Sequence, residues 1–298
     1  MLTGSFVYKI KKELKFGNVL DFSKLSLRKK FCQKEVTLNK YLCGNMYQSV
    51  VKIIEKNGIF RFVDLKEKGR PLEYAVKMVE IPQKFRMDLV KARKINKKII
   101  NSLTEIIIQF HNNAPTNKKI SNFAQPKIMK RKFNENFLTI SKLGKIDPIF
   151  EYKLNSFLKN NNDLFYQRIR ESKIRDIHGD LYLKNIFIIN NKFYLYDRIE
   201  FNDYLRYADI VEDVAHLAMD LDFHHRADLA KHFISQYIKI SNDKNIKNLV
   251  YFMMCFKACV RAKVSLFRAN EVYDKKKIIY EKEAKKHLKL ARKYVELF

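Results

Sequence analysis

The sequence has no tryptophan, and it has only seven glycines and five prolines in 298 residues. No GxxxxGK[ST] segment is present, so the sequence contains no P-loop for nucleotide binding. The longest apolar run, Leu249 to Phe256, is too short to cross a bilayer, and no continuous hydrophobic signal segment begins the chain. We find no internal repeat and no low-complexity tail. These absences predict a globular chain without a membrane anchor.

Cysteine is scarce, and its spacing excludes two common uses. Cys32, Cys43, Cys255 and Cys259 form no CxxC pair and have no metal-ligand spacing with histidine. Cys255 and Cys259 stand one helical turn apart on an apolar face, which is typical of core packing. We therefore expect four reduced, buried thiols and a cytoplasmic protein.

Acidic residues are the minority charge, because 32 Asp and Glu oppose 60 Lys and Arg and leave a net charge of +28. Such an excess is found in proteins that bind nucleic acid, an acidic membrane or an anionic substrate. The abundance of Lys, Ile, Asn and Phe along the whole chain is also the pattern of AT-rich coding DNA. Because no basic tail or aromatic-interleaved patch stands out, we do not expect nucleic acid as a partner. The alternative predicts steeply salt-dependent association.

Hydrophobic residues make up 47% of the chain, which is ample for a core. Alternating and β-branched patterns dominate the first 80 residues, with one helical segment among them. The predicted elements are a strand over 5–10, a helix over 23–42, a hairpin of strands over 49–54 and 59–65 around Asn57-Gly58, and a strand over 74–78.

Helical periodicity dominates after Pro82. We predict a long helix over 88–111, a polar connector to Gln125, and helices over 149–171 and 251–269. The composition of the two parts predicts an α+β protein with two lobes. The strand-rich N-lobe would span residues 1–79, and the larger helical C-lobe would span residues 80–298.

The candidate chemistry lies between Ile177 and Asp197. His178, Asp180 and Asn185 have the spacing HxDxxxxN, and a predicted strand ends at Asp197 twelve residues later. Phosphoryl transfer needs a metal to neutralise phosphate charge and a carboxylate to accept the proton of the attacking hydroxyl. Asp180 would be that base, Asn185 and Asp197 would hold Mg²⁺ through oxygen ligands, and His178 would brace the loop. A turn or capping role is the alternative for each residue taken alone.

These segments resemble the aminoglycoside phosphotransferase family. Gly179 after His178 is typical of those small-molecule kinases and distinguishes them from protein kinases, which usually have Arg at that position. The flanking residues are similar to an uncharacterised bacterial branch of the family, and the similarity reaches 7–12, 20–23, 32–39, 73–78, 110–111, 197–203, 218–221 and 260–264.

The resemblance implies a bilobal protein-kinase-like fold and ATP- and Mg²⁺-dependent transfer of the γ-phosphoryl group to a hydroxyl of a small molecule. It implies that Lys9 binds nucleotide phosphate and that Glu35 is its helix partner. It also implies that the strand from Glu73 through Ala75 to Met78 lines the adenine. For Lys9 and Glu35 alone, solvated surface side chains are the competing interpretation.

Several positions depart from the family pattern. The family normally has strands before its Thr-Gly pair, whereas this chain begins at Leu2-Thr3-Gly4, so a phosphate-covering loop is expected to be absent. Tyr182 and Lys184 replace the usual His and Gly of the branch. Longer relatives append a P-loop domain, and we expect this chain to be the kinase-like part alone. The departures leave a second hypothesis open, a pseudokinase that binds nucleotide or a protein without catalysis.

Candidate substrate-binding residues lie on a predicted C-lobe helix and after the metal aspartate. Arg261 and Lys263 stand in a family-like motif of an otherwise apolar helix and would bind an acidic or phosphorylated substrate. A solvated stripe through Lys257, Arg261 and Arg268 is the alternative. Glu200 could support the metal or substrate, or cap a turn.

Two aspartates complete the candidate residues. Asp209 and Asp213 are four residues apart, and we expect them to share a helix face. Asp213 resembles the family's buried aspartate that hydrogen-bonds the catalytic loop, so we expect a supporting role.

Overall fold

The computed structural model describes residues 2–3, 5–17, 19–90, 95–142 and 148–298. The chain divides into two compact units. The first unit is Met1–Lys91 with Lys184–Leu205, and the second is Ala92–Leu183 with Arg206–Phe298. These units differ from the predicted lobes in their boundary and in the segment that rejoins the first unit. The division at residue 79 stays a prediction, and Gly4 lies outside the described residues.

Eleven strands occur among the described residues. They are β1 (Leu2–Thr3), β2 (Phe6–Ile10), β3 (Lys15–Phe16), β4 (Leu20–Asp21), β5 (Tyr47–Lys56), β6 (Ile59–Asp64), β7 (Glu73–Val79), β8 (Ile174–Asp176), β9 (Ile186–Ile189), β10 (Lys192–Leu195) and β11 (Tyr207–Asp209).

The same part of the chain forms eleven α-helices. They are α1 (Leu25–Cys43), α2 (Lys97–Asn113), α3 (Lys118–Ser121), α4 (Pro126–Lys142), α5 (Pro148–Asn160), α6 (Asn162–Arg170), α7 (Asp203–Arg206), α8 (Val211–Phe223), α9 (Ala227–Ser241), α10 (Ile246–Asn270) and α11 (Asp274–Val295).

A five-stranded antiparallel sheet in the order β1-β2-β7-β5-β6 forms the centre of the first unit. Asn57 and Gly58 join β5 to β6 with φ values of 55° and 75°, the left-handed pair that a two-residue hairpin requires. Helix α1 packs on this sheet because Cys32 and Val36 recur at helical spacing and meet Val50 and other apolar sheet residues. The predicted strands and hairpin are therefore present.

Helices build the second unit around α8 and α10. Helix α8 is buried along its length from Val211 to Leu221, and α10 packs against α4, α8 and α11. The buried side chain of Arg168 links α6 to β11 and to the residues that follow α9. Its guanidinium donates to Asp209 at 2.7 and 2.6 Å and to Asp243 at 2.6 Å. The helical character expected after Pro82 is confirmed.

Three local predictions were wrong. The helix predicted from residue 88 begins at Lys97, because extended Asn96 accepts from the Ile99 N–H at 3.1 Å and caps the first turn. The connector predicted up to Gln125 contains α3, which Asn117 caps in the same way. Asp209 does not share a helix face with Asp213, because Asp209 ends β11. Residues 91–94 lie outside the described part of the chain.

No helix within the described ranges is both long enough and apolar enough to cross a membrane.

Candidate active site

The loop after β8 carries the predicted catalytic base in the second unit. The backbone N–H groups of His178 and Gly179 donate to the two carboxylate oxygens of Asp213 at 2.8 and 3.0 Å. Gly179 has a φ of +84°, a left-handed conformation that glycine adopts without steric strain. Asp213 thus holds the backbone of this loop, as the sequence predicted.

Asp213 is completely buried, and its charge is stabilised by its neighbours. His111 Nε2 lies 3.2 Å from its carboxylate, and His111 Nδ1 lies 2.6 Å from the hydroxyl of Tyr237. Burial pushes the pKa of Asp213 upward, but the hydrogen bonds from His111 and from the His178 N–H hold that pKa below its usual range. An ionised Asp213 can accept from both loop N–H groups at once.

The far end of the same loop is fixed as well, because the Leu183 N–H donates to Asp220 at 2.9 Å. Within the loop, the Asp180 N–H donates to His178 Nδ1 at 3.4 Å, so the imidazole braces the backbone. The Asp180 side chain remains 32% exposed. The loop therefore presents an accessible carboxylate on a fixed backbone, the arrangement that a general base needs.

His216 lies beside Asp180 and was not among the predicted site residues. Its Nδ1 is 3.8 Å from Asp180 Oδ1, and its ring stacks on Tyr182 with centroids 5.3 Å apart and planes inclined by 5°. Burial, followed by the charges of Lys257 and Arg261, lowers the pKa of His216 well below its usual value. The imidazole is therefore neutral.

A sequence signal for His216 does exist. Asp213, His216 and Asp220 are at positions i, i+3 and i+7 of α8, a helix otherwise made of apolar residues in its buried stretch apart from Glu212. A polar stripe at that spacing on a buried helix must contact polar groups, because buried polar atoms need partners. Here Asp213 and Asp220 accept from the loop backbone, and His216 lies beside Asp180 without a hydrogen bond to it.

The first unit holds a network of two lysines and three carboxylates. Lys9 Nζ donates to Glu35 Oε1 at 2.8 Å and to Asp197 Oδ1 at 2.6 Å. Burial opposes the charge of Lys9, but Asp197 and Glu35 raise its pKa well above the ordinary value. The predicted pair of Lys9 with Glu35 is present in the structure, and its role in phosphate binding stays a prediction.

Lys11 is the member of this network that sequence reasoning missed. Its Nζ donates to Glu35 Oε2 at 2.6 Å and to Glu200 Oε1 at 2.5 Å, and all three side chains are buried. Burial and the nearby charge of Glu35 raise the pKa of Glu200 despite both lysines. Glu200 therefore belongs to the lysine network, and its predicted contact with substrate stays a prediction.

Asn185 and Asp197, the predicted metal ligands, lie at one end of the β9–β10 hairpin. The Tyr196 N–H donates to the Asn185 carbonyl at 2.7 Å, so the two ligand positions are brought together by backbone pairing. Asp197 has a φ of +62°, its N–H donates to the Tyr47 hydroxyl at 3.3 Å, and its side chain is 49% exposed. An amide oxygen and an accessible carboxylate oxygen are hard donors that fit Mg²⁺.

Glu73 and Ala75, which were predicted to line the adenine, make contacts that hold the sheet of the first unit. The Glu73 carboxylate accepts from Arg28 Nε at 2.8 Å. Ala75 is fully buried in the central strand β7, opposite Ile10 on one side and Val51 on the other. Both residues help to hold the sheet, and their part in nucleotide binding stays a prediction.

The basic residues of α10, which include the predicted substrate residues Arg261 and Lys263, differ in their exposure. Lys257 and Arg261 are buried, whereas Arg268 is exposed, so the solvated stripe is wrong for the first two. The Arg261 guanidinium carbon lies 4.5 Å from the centroid of the Tyr182 ring. Lys263 is only partly buried, and burial lowers its pKa. Arg261 therefore lies near the catalytic loop, by contact with Tyr182.

Comparison with solved structures identifies the fold. Over 97% of this chain and 82% of the other, the structure is similar to an ethanolamine kinase of Plasmodium vivax, with a TM-score of 0.50 and 13% identity. An aminoglycoside phosphotransferase solved with GDP and kanamycin is similar over 98% of this chain and 94% of its own, with a TM-score of 0.49 and 12% identity. The predicted α+β, protein-kinase-like fold is confirmed by the likeness to the ethanolamine kinase.

Curated relatives occur in Mycobacterium tuberculosis and Mycobacterium bovis, where they are uncharacterised proteins. They are 29% identical over 278 residues, which are 91% of this chain and 53% of theirs. The chain thus spans about half the length of the relatives it matches. No model of a protein family matches the chain.

Proposed function

We propose that the protein is a small-molecule kinase that transfers the γ-phosphoryl group of ATP to a hydroxyl of its substrate. The observation that carries the proposal is the position of Lys9, whose ammonium group is shared between Glu35 and Asp197 at 2.8 and 2.6 Å. A lysine held in this way by a helix glutamate is the phosphate-binding device of kinase-like phosphotransferases. The fold shared with an ethanolamine kinase supports the same reaction class.

Asp180 is the proposed base of the reaction. Its carboxylate accepts the proton of the acceptor hydroxyl while that oxygen bonds to the γ-phosphorus, and the bond from phosphorus to the bridging oxygen of ADP breaks. Asp213 and Asp220 keep the loop in place, and His178 fixes the backbone of Asp180.

Asn185 and Asp197 would hold Mg²⁺, and Lys9 would bind a nucleotide phosphate. When bound, the metal neutralises the negative charge that phosphate groups carry toward the transition state. Lys9 must exchange part of its contact with Asp197 for a phosphate oxygen, and Glu35 keeps the ammonium group in position as it does so. Lys11, which also donates to Glu200, donates to the other oxygen of Glu35 and holds it from that side.

The test combines nucleotide binding with turnover. We expect Mg-ATP to raise the unfolding temperature of the wild-type protein, and we expect Lys9→Met to reduce that rise while exposed Lys12→Met preserves it. With a panel of alcohols, we expect Asp180→Asn to lower phosphotransfer by about 100-fold or more, since general-base catalysis contributes on that order. ADP release and phosphorylated product are the measurements.

Asp163→Asn is the matched control for Asp180, because Asp163 is an exposed acid on α6. Wild-type turnover in Asp180→Asn would contradict the mechanism. Mg-ATP binding without phosphotransfer to any alcohol would favour the pseudokinase hypothesis, in which the chain binds nucleotide or a protein but does not catalyse.

A further inference from the structure

A buried basic cluster lies in the second unit beside the catalytic loop. Its members are Lys257 and Arg261 on α10 and Lys132 on α4, with exposed fractions of 6, 9 and 7%. Within the described part of the chain, the carboxylate of Glu212 on α8 lies against Lys257 and Lys132. Lys257 Nζ donates to Glu212 Oε2 at 2.8 Å, and Lys132 Nζ lies 3.9 Å from Glu212 Oε1.

The charges of this cluster do not balance. Among the described residues no carboxylate pairs with Arg261, whose guanidinium instead lies over the ring of Tyr182. Burial, with the charge of Lys257, lowers the pKa of Lys132 against the opposing effect of Glu212. Even with Lys132 neutral, Lys257 and Arg261 oppose Glu212 and leave one positive charge in excess. An excess buried charge is unfavourable unless an anion reaches it.

Hydrogen-bonding capacity is also left over in this region. Asn136 stands one helical turn after Lys132 on α4 and is 1% exposed. Neither its amide nitrogen nor its amide oxygen has a hydrogen-bond partner within the described ranges. Buried polar groups without partners are rare in folded proteins, and a bound ligand is one way in which they are satisfied.

The cluster reaches Asp180 through a short series of contacts. Asp180 Oδ1 lies 3.8 Å from His216 Nδ1, the His216 ring stacks on Tyr182, and Arg261 lies on Tyr182. Tyr182 thereby forms part of the support for Arg261. The departure of Tyr182 from the family pattern consequently has a structural purpose in this chain.

We propose that the acceptor substrate is an anionic alcohol, whose carboxylate or phosphate group binds to Arg261 and Lys257 while its hydroxyl meets Asp180. This inference rests on the proposed function, since it names the substrate class of the same reaction. The guanidinium presents paired N–H donors that fit the two oxygens of a carboxylate or phosphate. The Asn136 amide supplies a further donor, and cationic alcohols such as ethanolamine are repelled by the excess positive charge.

Binding of small anions tests the proposal without requiring turnover. The probes are inorganic phosphate, glycerate and glycerol 3-phosphate, with glycerol and ethanolamine as uncharged and cationic comparators at constant ionic strength. We expect calorimetry to show binding of at least one anionic probe and of neither comparator. Comparing glycerate with glycerol 3-phosphate shows whether the site prefers a carboxylate or a phosphate group.

Arg261→Gln should weaken that binding by about 30-fold or more, because it leaves the buried anion without its charged partner. Arg268→Gln on the exposed face of the same helix is the matched control and should bind as the wild type does. Without added anion, Arg261→Gln should unfold at the same or a higher temperature, since it removes an unpaired buried charge.

Three outcomes would overturn the inference. They are binding of none of the anions, equal binding by Arg261→Gln and the wild type, and phosphotransfer to ethanolamine or glycerol but to no anionic alcohol. In the last case Mg-ATP-dependent turnover would still uphold the proposed function. Conversely, Arg261-dependent binding of an anion without any response to Mg-ATP would support the anion site and overturn the kinase.

Discussion

Glu35 is a single carboxylate that serves two lysines, and the sequence indicated only one of them. Lys9 and Lys11 are two residues apart, the spacing that places side chains on the same face of an extended chain. The partner that fixes Lys11, Glu200, lies 189 residues further along the chain. A contact at that separation has no local signature, so resemblance could find Lys9 and Glu35 but not the second lysine.

His287 gives a pH dependence that can be predicted at the scale of one residue. It is 3% exposed, its ring stacks on Phe223 at 4.1 Å, and burial lowers its pKa from 6.5 to about 3. As the pH falls below about 6.5, the unfolded chain takes up a proton that the folded chain refuses. The free energy of unfolding should therefore lose about 2 kcal/mol from this group between about pH 7.5 and about pH 5.

Urea unfolding of the wild type and of His287→Gln at both pH values measures this contribution. The difference in unfolding free energy between the two proteins should change by that amount, with the variant gaining relative stability at the lower pH. His232→Gln, a change at a partly exposed histidine, is the control. A difference independent of pH would show that His287 is protonated equally in both states.

At the scale of elements, hydrophobic periodicity predicts that a helix exists and which face is buried, but it does not predict where the helix begins. Apolar spacing correctly predicted α1, α10 and the apolar face of α2, because that spacing reflects the side that must be buried. It extended α2 too far toward the N-terminus. The apolar pattern extends back to residues 88–90, but the helix begins only after Asn96, whose side chain accepts from the first turn and caps it. A cap is a single polar residue, and asparagine is frequent throughout this chain, so the sequence alone did not show which asparagine begins the helix.

The cap of α2 is directly testable. Asn96→Ala removes the acceptor of the Ile99 N–H and should lower the free energy of unfolding by about 1 kcal/mol, since that is the usual effect of losing such a cap. Asn96→Asp keeps an acceptor and should restore most of the stability. Asn112→Ala, at an exposed position near the other end of the helix, is the control. Equal stability of Asn96→Ala and the wild type in urea would contradict the role of Asn96.

Helix α8 illustrates a different limit. Its sequence reads as an apolar core helix, yet its polar residues Asp213, His216 and Asp220 are the ones that touch the loop of Asp180. The resemblance identified Asp213 alone. The polar stripe marks His216 as a residue to examine, but its place beside Asp180 required the structure, because a histidine on an apolar helix is compatible with packing, metal binding or contact with another polar group.

At the scale of the whole molecule, the net charge of +28 acts on stability. Like charges repel one another in the compact state, and added salt screens that repulsion. We expect the unfolding temperature to rise when sodium chloride increases from about 20 to about 200 mM. Potassium chloride should act equally, since screening depends on ionic strength. A falling unfolding temperature would mean that attractive ion pairs outweigh the repulsion.

The fold and the loop from His178 to Asn185 could be predicted from the sequence because they depend on local spacing and on a motif. The basic cluster could not, because Lys132, Lys257 and Arg261 come from helices separated by more than a hundred residues. The sequence placed Lys257 in a solvated stripe, whereas the structure buries it. Charges in a lysine-rich chain carry information only once their surroundings are known.

The four buried thiols give the chain an internal reporter of its own opening. Cys32 and Cys43 belong to the first unit, Cys255 and Cys259 to the second, and none is more than 2% exposed. Burial also raises the pKa of Cys32 to about 12, so little reactive thiolate forms while the unit is folded. An alkylating reagent followed by peptide mass spectrometry would thus time the transient exposure of each unit separately, with no engineered label.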